Sequence, residues 1–392
     1  LTYKECCLPM LSQPQNIEDL TTPCCLIDKA KMQQNITRLA EHIGRLGCKI
    51  RPHVKTHKSI EVARCIEAGG NVAGITVSTL QEAQHFFTHG YHDIMYAVGI
   101  VPNKLSTVAN LIDKGCDLKV VLDNPVMAQL VVAKANQFNC RFKVLIELDT
   151  DGHRSGIEPR SQALLDVAEQ LTKAPNIELL GVMTHAGESY ACFTSDAQLK
   201  MAKQERDLSL LAAERLRATG YPCPVVSIGS TPTAFAIDDL TGITEVRAGV
   251  YVFFDLVMAG LGVCRVTDVA ISVLASVIGY QEDKNWVITD AGWMAMSRDR
   301  GTSNHPVDQG YGLVCDATGK SLETYIVSSA NQEHGIIANR ETKQDTDYSL
   351  FPLASHIRIL PNHACSTAAQ FSHLYVIEDG QIVAHWSLTR GW

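Results

Sequence analysis

Six stretches of this chain carry residue types at spacings that chemistry can use. The first, Arg51-Pro52-His53-Val54-Lys55-Thr56-His57-Lys58, follows a short strand-like run and precedes a helical pattern. A lysine at the C-terminal mouth of a parallel strand stands where α/β barrels place their reactive groups. An amine held partly out of water there can form a Schiff base, although most loop lysines are simply solvated. The second stretch is Asp149-Thr150-Asp151-Gly152-His153-Arg154-Ser155-Gly156, where two glycines bracket an arginine suited to an anionic oxygen, or equally to a surface ion pair. The third, Thr184-His185-Ala186-Gly187-Glu188-Ser189-Tyr190, sets a lone histidine at another strand end.

The fourth, Ser227-Ile228-Gly229-Ser230-Thr231-Pro232-Thr233, puts a glycine and small hydroxyl residues at a strand-to-helix turn. Such a turn can offer N–H groups and hydroxyls to a phosphate, and barrels commonly bind phosphate after strands seven and eight. No G-K-[ST] follows, so it is not a Walker loop. The fifth, Glu245-Val246-Arg247-Ala248-Gly249-Val250-Tyr251, ends a strand with a second arginine and an aromatic ring. A mouth lysine, a phosphate cradle, two arginines and a histidine together fit a phosphorylated cofactor bound through a Schiff base, which describes pyridoxal phosphate. The sixth is Leu360-Pro361-Asn362-His363-Ala364-Cys365-Ser366-Thr367. On an extended segment His363 and Cys365 point the same way and can reach one Zn²⁺-like ion, though H-x-C alone is a weak pattern. An ion with few protein ligands keeps positions open for a Lewis-acid role. Two further stretches, 290–293 with Arg298-Asp299-Arg300 and 331–335, are dense in polar residues and are expected at a domain interface.

These residues need a scaffold, and the hydrophobic pattern supplies one. After a strand at 24–28 and a helix at 29–46, strand-like runs recur at 49–54, 72–77, 93–98, 117–122, 142–148, 177–184, 224–228 and 244–247, with helical periodicity between them. The longest helix is expected at 197–218. Eight βα repeats favour an eight-stranded (β/α)8 TIM-type barrel over an open sheet. Beyond about residue 265 helical periodicity fades, and β runs at 269–281, 286–289, 321–328, 356–360 and 374–383 alternate with turn signals. The expected organisation is a barrel at 25–265 followed by an all-β domain at 266–392, joined by part of 1–24.

Composition narrows the class. With 46% hydrophobic and 19% charged residues this is an ordinary globular chain. The 34 basic and 42 acidic side chains give a net charge of −8, with no basic cluster, which argues against nucleic acid and anionic membrane as partners. The most apolar run, 250–263, is interrupted by Asp255 and too short to span a membrane. No signal peptide is visible. The 13 cysteines are scattered without a C-x-x-C pair; adjacent Cys6-Cys7 and Cys24-Cys25 suit neither a zinc ribbon nor disulfides. Most are expected as buried thiols in a reducing compartment, the cytoplasm.

The motifs R-P-H-V-K-T (51–56), D-T-D-G-H-R-S-G (149–156), T-H-A-G (184–187), G-S-T-P-T (229–233), E-V-R-A-G-V-Y (245–251) and P-N-H-A-C (361–365) span the chain in order. With them the chain resembles the alanine-racemase-like (fold type III) pyridoxal-phosphate enzymes, within the D-serine dehydratase and D-threonine aldolase group. Segments 251–258, 292–302 and 331–335 are similar to its D-threo-3-hydroxyaspartate dehydratase branch. The resemblance implies that Lys55 anchors the cofactor and acts as base, and that Gly229, Ser230 and Thr231 hold the phosphate. It places Arg154 near the phenolate oxygen, His185 and Tyr190 near the ring, and Arg247 on the pyridine-nitrogen side. His363 and Cys365 become ligands of a divalent metal (zinc, or manganese, cobalt or magnesium). The expected activity is a lyase of D-amino acid metabolism, a dehydratase releasing a 2-keto acid and ammonia from a D-3-hydroxy amino acid. Aldol cleavage to glycine and an aldehyde is the near alternative, and a non-catalytic cofactor-binding protein the far one. Aldolases of the group carry Asp where this chain has Cys365, which favours the dehydratase. No counterpart of the racemase tyrosine acid is visible in the β domain. A homodimer is implied.

Overall fold

The structure is a computed structural model describing residues 16–341 and 345–392. The expected content of residues 1–15, including Cys6 and Cys7, lies outside the described residues. Strand β1 (Cys24–Asp28) leads into the helix Lys29–Arg45, where Asp28 accepts a hydrogen bond from the Lys31 N–H at 3.0 Å and caps the first turn. That helix buries Met32, Ile36, Leu39 and Ile43 along one stripe. Each such side chain contributes about 1.5–3 kcal/mol when taken from water.

Eight parallel strands follow: β2 (Lys49–Pro52), β3 (Ile75–Val77), β4 (Asp93–Gly99), β5 (Asp117–Leu122), β6 (Phe142–Leu148), β7 (Ile177–Thr184), β8 (Val225–Ile228) and β9 (Glu245–Ala248). They pair in the order β2-β9-β8-β7-β6-β5-β4-β3. Parallel bridges Ile50 to Val72 and His53 to Thr76 bring β2 back to the β3 side, so the sheet rounds into a TIM-type barrel. The longest helix is Ser195–Ala218.

A nine-stranded sheet is built from β10 (Ile271–Gln281), β11 (Trp286–Thr289), β12 (Gly312–Asp316), β13 (Ser321–Ala330), β14 (Gly335–Asn339), β15 (His356–Pro361), β16 (His373–Glu378) and β17 (Gln381–Ser387), together with β1. Its pairings are antiparallel apart from β1 with β16. Ile17 and Leu20 pack with Leu26, Leu274 and Ile377 on this sheet.

Four details differ from the sequence reading. Strand β1, expected with the barrel, sits between β10 and β16 in the second sheet, because the barrel is complete without it. The run expected at 374–383 is a hairpin, turned at Asp379 and Gly380 with φ 49° and 78°; Asp-Gly suits a two-residue turn with both φ positive. Strands β12 and β14 went unanticipated, since each is a short run whose partners are distant. Finally, His363 and Cys365 do not share an extended segment. His363 (φ −136°, ψ 108°) is the N-cap of the helix Ala364–Ala368, so Cys365 lies in its first turn.

The barrel core continues into the second domain through Leu313, Leu360, Ala364 and Leu374, while Val273, Val287, Val327, Ile337 and Ile359 form a separate cluster inside the β sheet. The shared core sets the H-x-C segment over the barrel mouth.

Candidate active site

A cavity of about 680 Å³ lies between the C-terminal ends of the barrel strands and the β domain. Its lining brings together all the residues singled out from sequence: Lys55, Arg154, His185, Tyr190, Gly229, Ser230, Thr231, Arg247, His363 and Cys365. Lys55 sits in the turn after β2, where Lys58 N–H donates to Val54 O at 2.7 Å, and its side chain is exposed towards the cavity. Its neighbour Thr56 contacts Cys365 Sγ at 3.1 Å, joining the first motif to the last.

Two histidines beside Lys55, His53 and His185, are held neutral. Burial, then the Lys55 cation, push His185 down to about 3, although its Nδ1–H donates to Gly229 O at 3.1 Å. Burial, then Lys55 and Arg247, lower His53 well below its usual range; its Nδ1 accepts from the Lys55 backbone N–H at 3.4 Å and its Nε2 faces Ser78 Oγ at 3.4 Å. Burial raises Tyr190 above the ordinary phenol range. Arg154 is 60% exposed and pairs loosely with Glu147 at 3.7 Å, a carboxyl whose burial raises its pKa.

The turn after β8 fits a phosphate in part by what it leaves open. Gly229 N–H donates to Glu205 Oε1 at 3.0 Å, and Ser230 closes a capping box with Thr233, so those groups are engaged within the protein. Thr231 Oγ1 is buried without a partner among the described residues. Gly229 (φ +133°) lies so close to the neighbouring strand that a Cβ would come within 2.3 Å of Arg247 O. The chemistry of this lining fits pyridoxal phosphate: an amine, an orphaned hydroxyl at a strand-to-helix turn, and neutral rings.

His363 and Cys365 fit a divalent ion. Burial alone would lower the His363 pKa, but Cys365 and a 2.6 Å hydrogen bond between Nδ1 and Asp299 Oδ2 hold it above the usual range. Cys365 is drawn below an ordinary thiol by His363, against the effect of burial. His363 and Cys365 thus offer an imidazole and a readily ionised thiol side by side, a donor pair suited to a metal cation. The carboxylate on the other ring nitrogen fixes the tautomer and orientation. Among the described residues no cluster of three or more His, Cys, Asp or Glu forms a closed cage, so coordination positions would remain open.

Three groups stand out that the motifs alone did not assign. Asp299 backs His363; it came from a stretch expected only at the interface. Asp255, buried, accepts from the N–H of Ala364, between His363 and Cys365, at 2.9 Å and from Met258 N–H at 2.9 Å, tying the barrel to the H-x-C segment. His53 is adjacent in space to Lys55. Asp255 and Asp299 lie more than sixty residues from the H-x-C segment they contact, and no local pattern signals such a contact. The eleven described cysteines are all unpaired, and among the described residues no helix is long and apolar enough to cross a membrane.

The model for the alanine racemase N-terminal domain matches residues 27–257, and that for the D-ser dehydratase domain matches residues 270–377. D-threo-3-hydroxyaspartate dehydratase of Delftia sp. (strain HT23) is 49% identical over 374 residues, covering 95% of this chain and 98% of that protein. D-serine dehydratase of Dictyostelium discoideum is 31% identical over 404 residues, with 96% and 98% covered. The solved structure of the Delftia dehydratase superposes with a TM-score of 0.94 at 49% identity, covering 96% of this chain and 100% of that one. A cysteine-to-alanine mutant of a D-threo-3-hydroxyaspartate dehydratase, also at TM-score 0.94 and 48% identity over 96% of this chain and 100% of that chain, is in a metal-free form. This chain belongs to the alanine-racemase-like, fold type III family, in the group whose barrel is followed by a D-serine dehydratase domain.

Proposed function

We propose that the protein is a pyridoxal-phosphate- and divalent-metal-dependent dehydratase of D-3-hydroxy amino acids such as D-threo-3-hydroxyaspartate or D-serine, giving a 2-keto acid and ammonia. The observation that carries this is the meeting of Lys55 with the His363–Cys365 pair in one cavity, through the 3.1 Å contact of Thr56 with Cys365. The 49% identity to D-threo-3-hydroxyaspartate dehydratase supports the same substrate class.

Lys55, Thr231 and the Gly229–Ser230 turn would hold pyridoxal phosphate, whose electron-withdrawing ring would acidify the substrate α-proton. His363 and Cys365 would hold a divalent ion, zinc in this reading, which would supply Lewis acidity at the β-hydroxyl. The chain's own residues do the rest. Lys55 Nζ takes the α-proton, and its fixed place at the strand end restricts attack to one face of Cα, which selects the D enantiomer. His185, neutral with Nδ1–H committed to Gly229 O, packs beside the ring without competing for that proton. Tyr190 pairs with His185 at 6.2 Å between centroids, and Arg154 offers its fork to an anionic oxygen. Arg247 lies on the ring-nitrogen side. Asp299 orients His363, Thr56 orients Cys365, and the β domain covers the mouth and limits water. Overall, the substrate loses its α-proton and β-hydroxyl as water, and the released enamine hydrolyses to keto acid and ammonia.

The same reading places the protein in the cytoplasm, where its unpaired thiols stay reduced, as a homodimer. The test is a product assay on D-threo-3-hydroxyaspartate and D-serine, with and without chelator. Ammonia plus keto acid, lost on chelation and restored by zinc, is the expected result. Glycine plus an aldehyde would make it an aldolase, and no turnover a cofactor carrier.

A further inference from the structure

Inside the barrel, beneath the cavity, runs a line of alternating charge that, Arg247 apart, the proposed chemistry does not use. Arg247, a buried lining residue, donates from Nη1 to Ser227 Oγ at 2.6 Å and from Nη2 to Thr184 O. Ser227 Oγ in turn donates to Glu245 Oε1 at 2.7 Å. Arg51 Nε donates to Glu245 Oε2 at 2.7 Å, and its other two nitrogens grip Asp93 at 2.8 and 3.1 Å. Asp93 accepts from Lys119 at 2.5 Å, and Lys119 and Lys143 both reach Asp117, at 2.6 and 2.8 Å.

Asp93, Asp117 and Glu245 open β4, β5 and β9, so the line climbs from the N-terminal end of the barrel to the cavity. The side chains of Arg51 and Glu245 are each only 6% exposed. An ion pair in that position is costly to desolvate and could be replaced by packed apolar groups, so its presence calls for a role besides stability.

The polarity of the line supplies that role. A serine hydroxyl has one proton. Because Glu245 takes it, Ser227 Oγ has only lone pairs to turn towards Arg247, and the guanidinium is held in one orientation. Arg51 in turn fixes Glu245. Other titratable groups face Arg247 as well, the carboxyls of Glu205 and Glu147 and the neutral rings of His53 and His185, but among the described residues only Ser227 and Thr184 hydrogen-bond it.

We propose that Ser227, Glu245 and Arg51 form a positioning relay that orients Arg247, with the Glu245 carboxylate partly neutralising it, and thereby tunes the electrostatic field on the bound cofactor. This rests on the functional reading above, in which the cavity holds pyridoxal phosphate.

The test uses the full-length protein loaded with pyridoxal phosphate, with its visible absorbance followed as a function of pH. Ser227→Ala removes one hydroxyl and no charge, and Glu245→Gln removes the charge itself. With Arg247 less neutralised, the midpoint of the cofactor's protonation should move to lower pH by about half a unit or more in Ser227→Ala, and further in Glu245→Gln. kcat should fall severalfold with KM less affected. Midpoints equal to the parent's in both variants, or moved upwards, would overturn the relay while leaving the functional reading intact. A parent protein that takes up no coloured cofactor overturns that reading, and the relay's role with it.

Discussion

The two ends of the barrel solve opposite problems. At the N-terminal end, charged groups are mutually satisfied: Arg51, Asp93, Lys119, Asp117 and Lys143 exchange close ion pairs. At the C-terminal mouth, groups are left open: Lys55 faces the cavity, Thr231 Oγ1 has no partner among the described residues, and His363 and Cys365 both line the cavity where a cation fits. Satisfied charge stabilises a fold, whereas incompletely satisfied polar groups are held ready for a ligand. The contrast teaches where substitutions should cost stability and where they should cost chemistry.

The sharpest way to break the contrast is Lys55→Ala. Turnover of D-threo-3-hydroxyaspartate should fall roughly 10³-fold or more, with the thermal midpoint of the protein little changed. A variant that keeps full ammonia release would end the assignment. At the other end, Arg51→Met should destabilise the fold by about 3–5 kcal/mol in urea titration, because Glu245 is left buried without its partner. A native urea midpoint would show that the far end is not the structural one.

Asp299→Asn tests a group that supports the mouth without lining up with the motifs. It should weaken metal binding about 10–100-fold in a chelator competition, with the fold intact. Thr231→Val, which removes the orphaned hydroxyl, should weaken pyridoxal phosphate binding by about 1 kcal/mol, read from equilibrium dialysis.

A further effect is one of pH. His53, His57 and His185 are each depressed by burial, His57 and His185 to about 3. The unfolded chain takes up protons below about 6.5 that these buried rings refuse, so their stabilising contribution is complete above that pH and declines as pH falls towards 3. Denaturant midpoints at pH 7 and pH 5 measure the decline.

Much of the scaffold was readable in the sequence. Runs of buried β residues alternating with amphipathic helices specify parallel strands, and β5, β6, β7 and β11 fall where the pattern puts them. The errors share a cause. Strand β1 went to the second sheet because pairing is decided by which edge is open, and a five-residue apolar run fits either. The hairpin at Asp379-Gly380 read as one strand because both arms are apolar. The H-x-C segment was taken as extended when the helix Ala364–Ala368 begins inside it; five residues give too short a period to detect.

The candidate site divides in the same way. Residue type and position after a strand pointed to Lys55, Arg154, His185, the Gly229-Ser230-Thr231 turn and Arg247, because a parallel strand delivers its C-terminal end to one face of the barrel by covalent continuity. Contacts between distant segments were decided only by folding. Thr56 meeting Cys365, Asp299 behind His363, Asp255 beneath Ala364 and the relay from Arg51 to Arg247 depend on how two sheets pack and which carboxylate is left within reach. Hydrogen bonds of about 3 Å between residues up to 309 positions apart leave no periodicity in the chain, so sequence names the donors while tertiary structure chooses their partners.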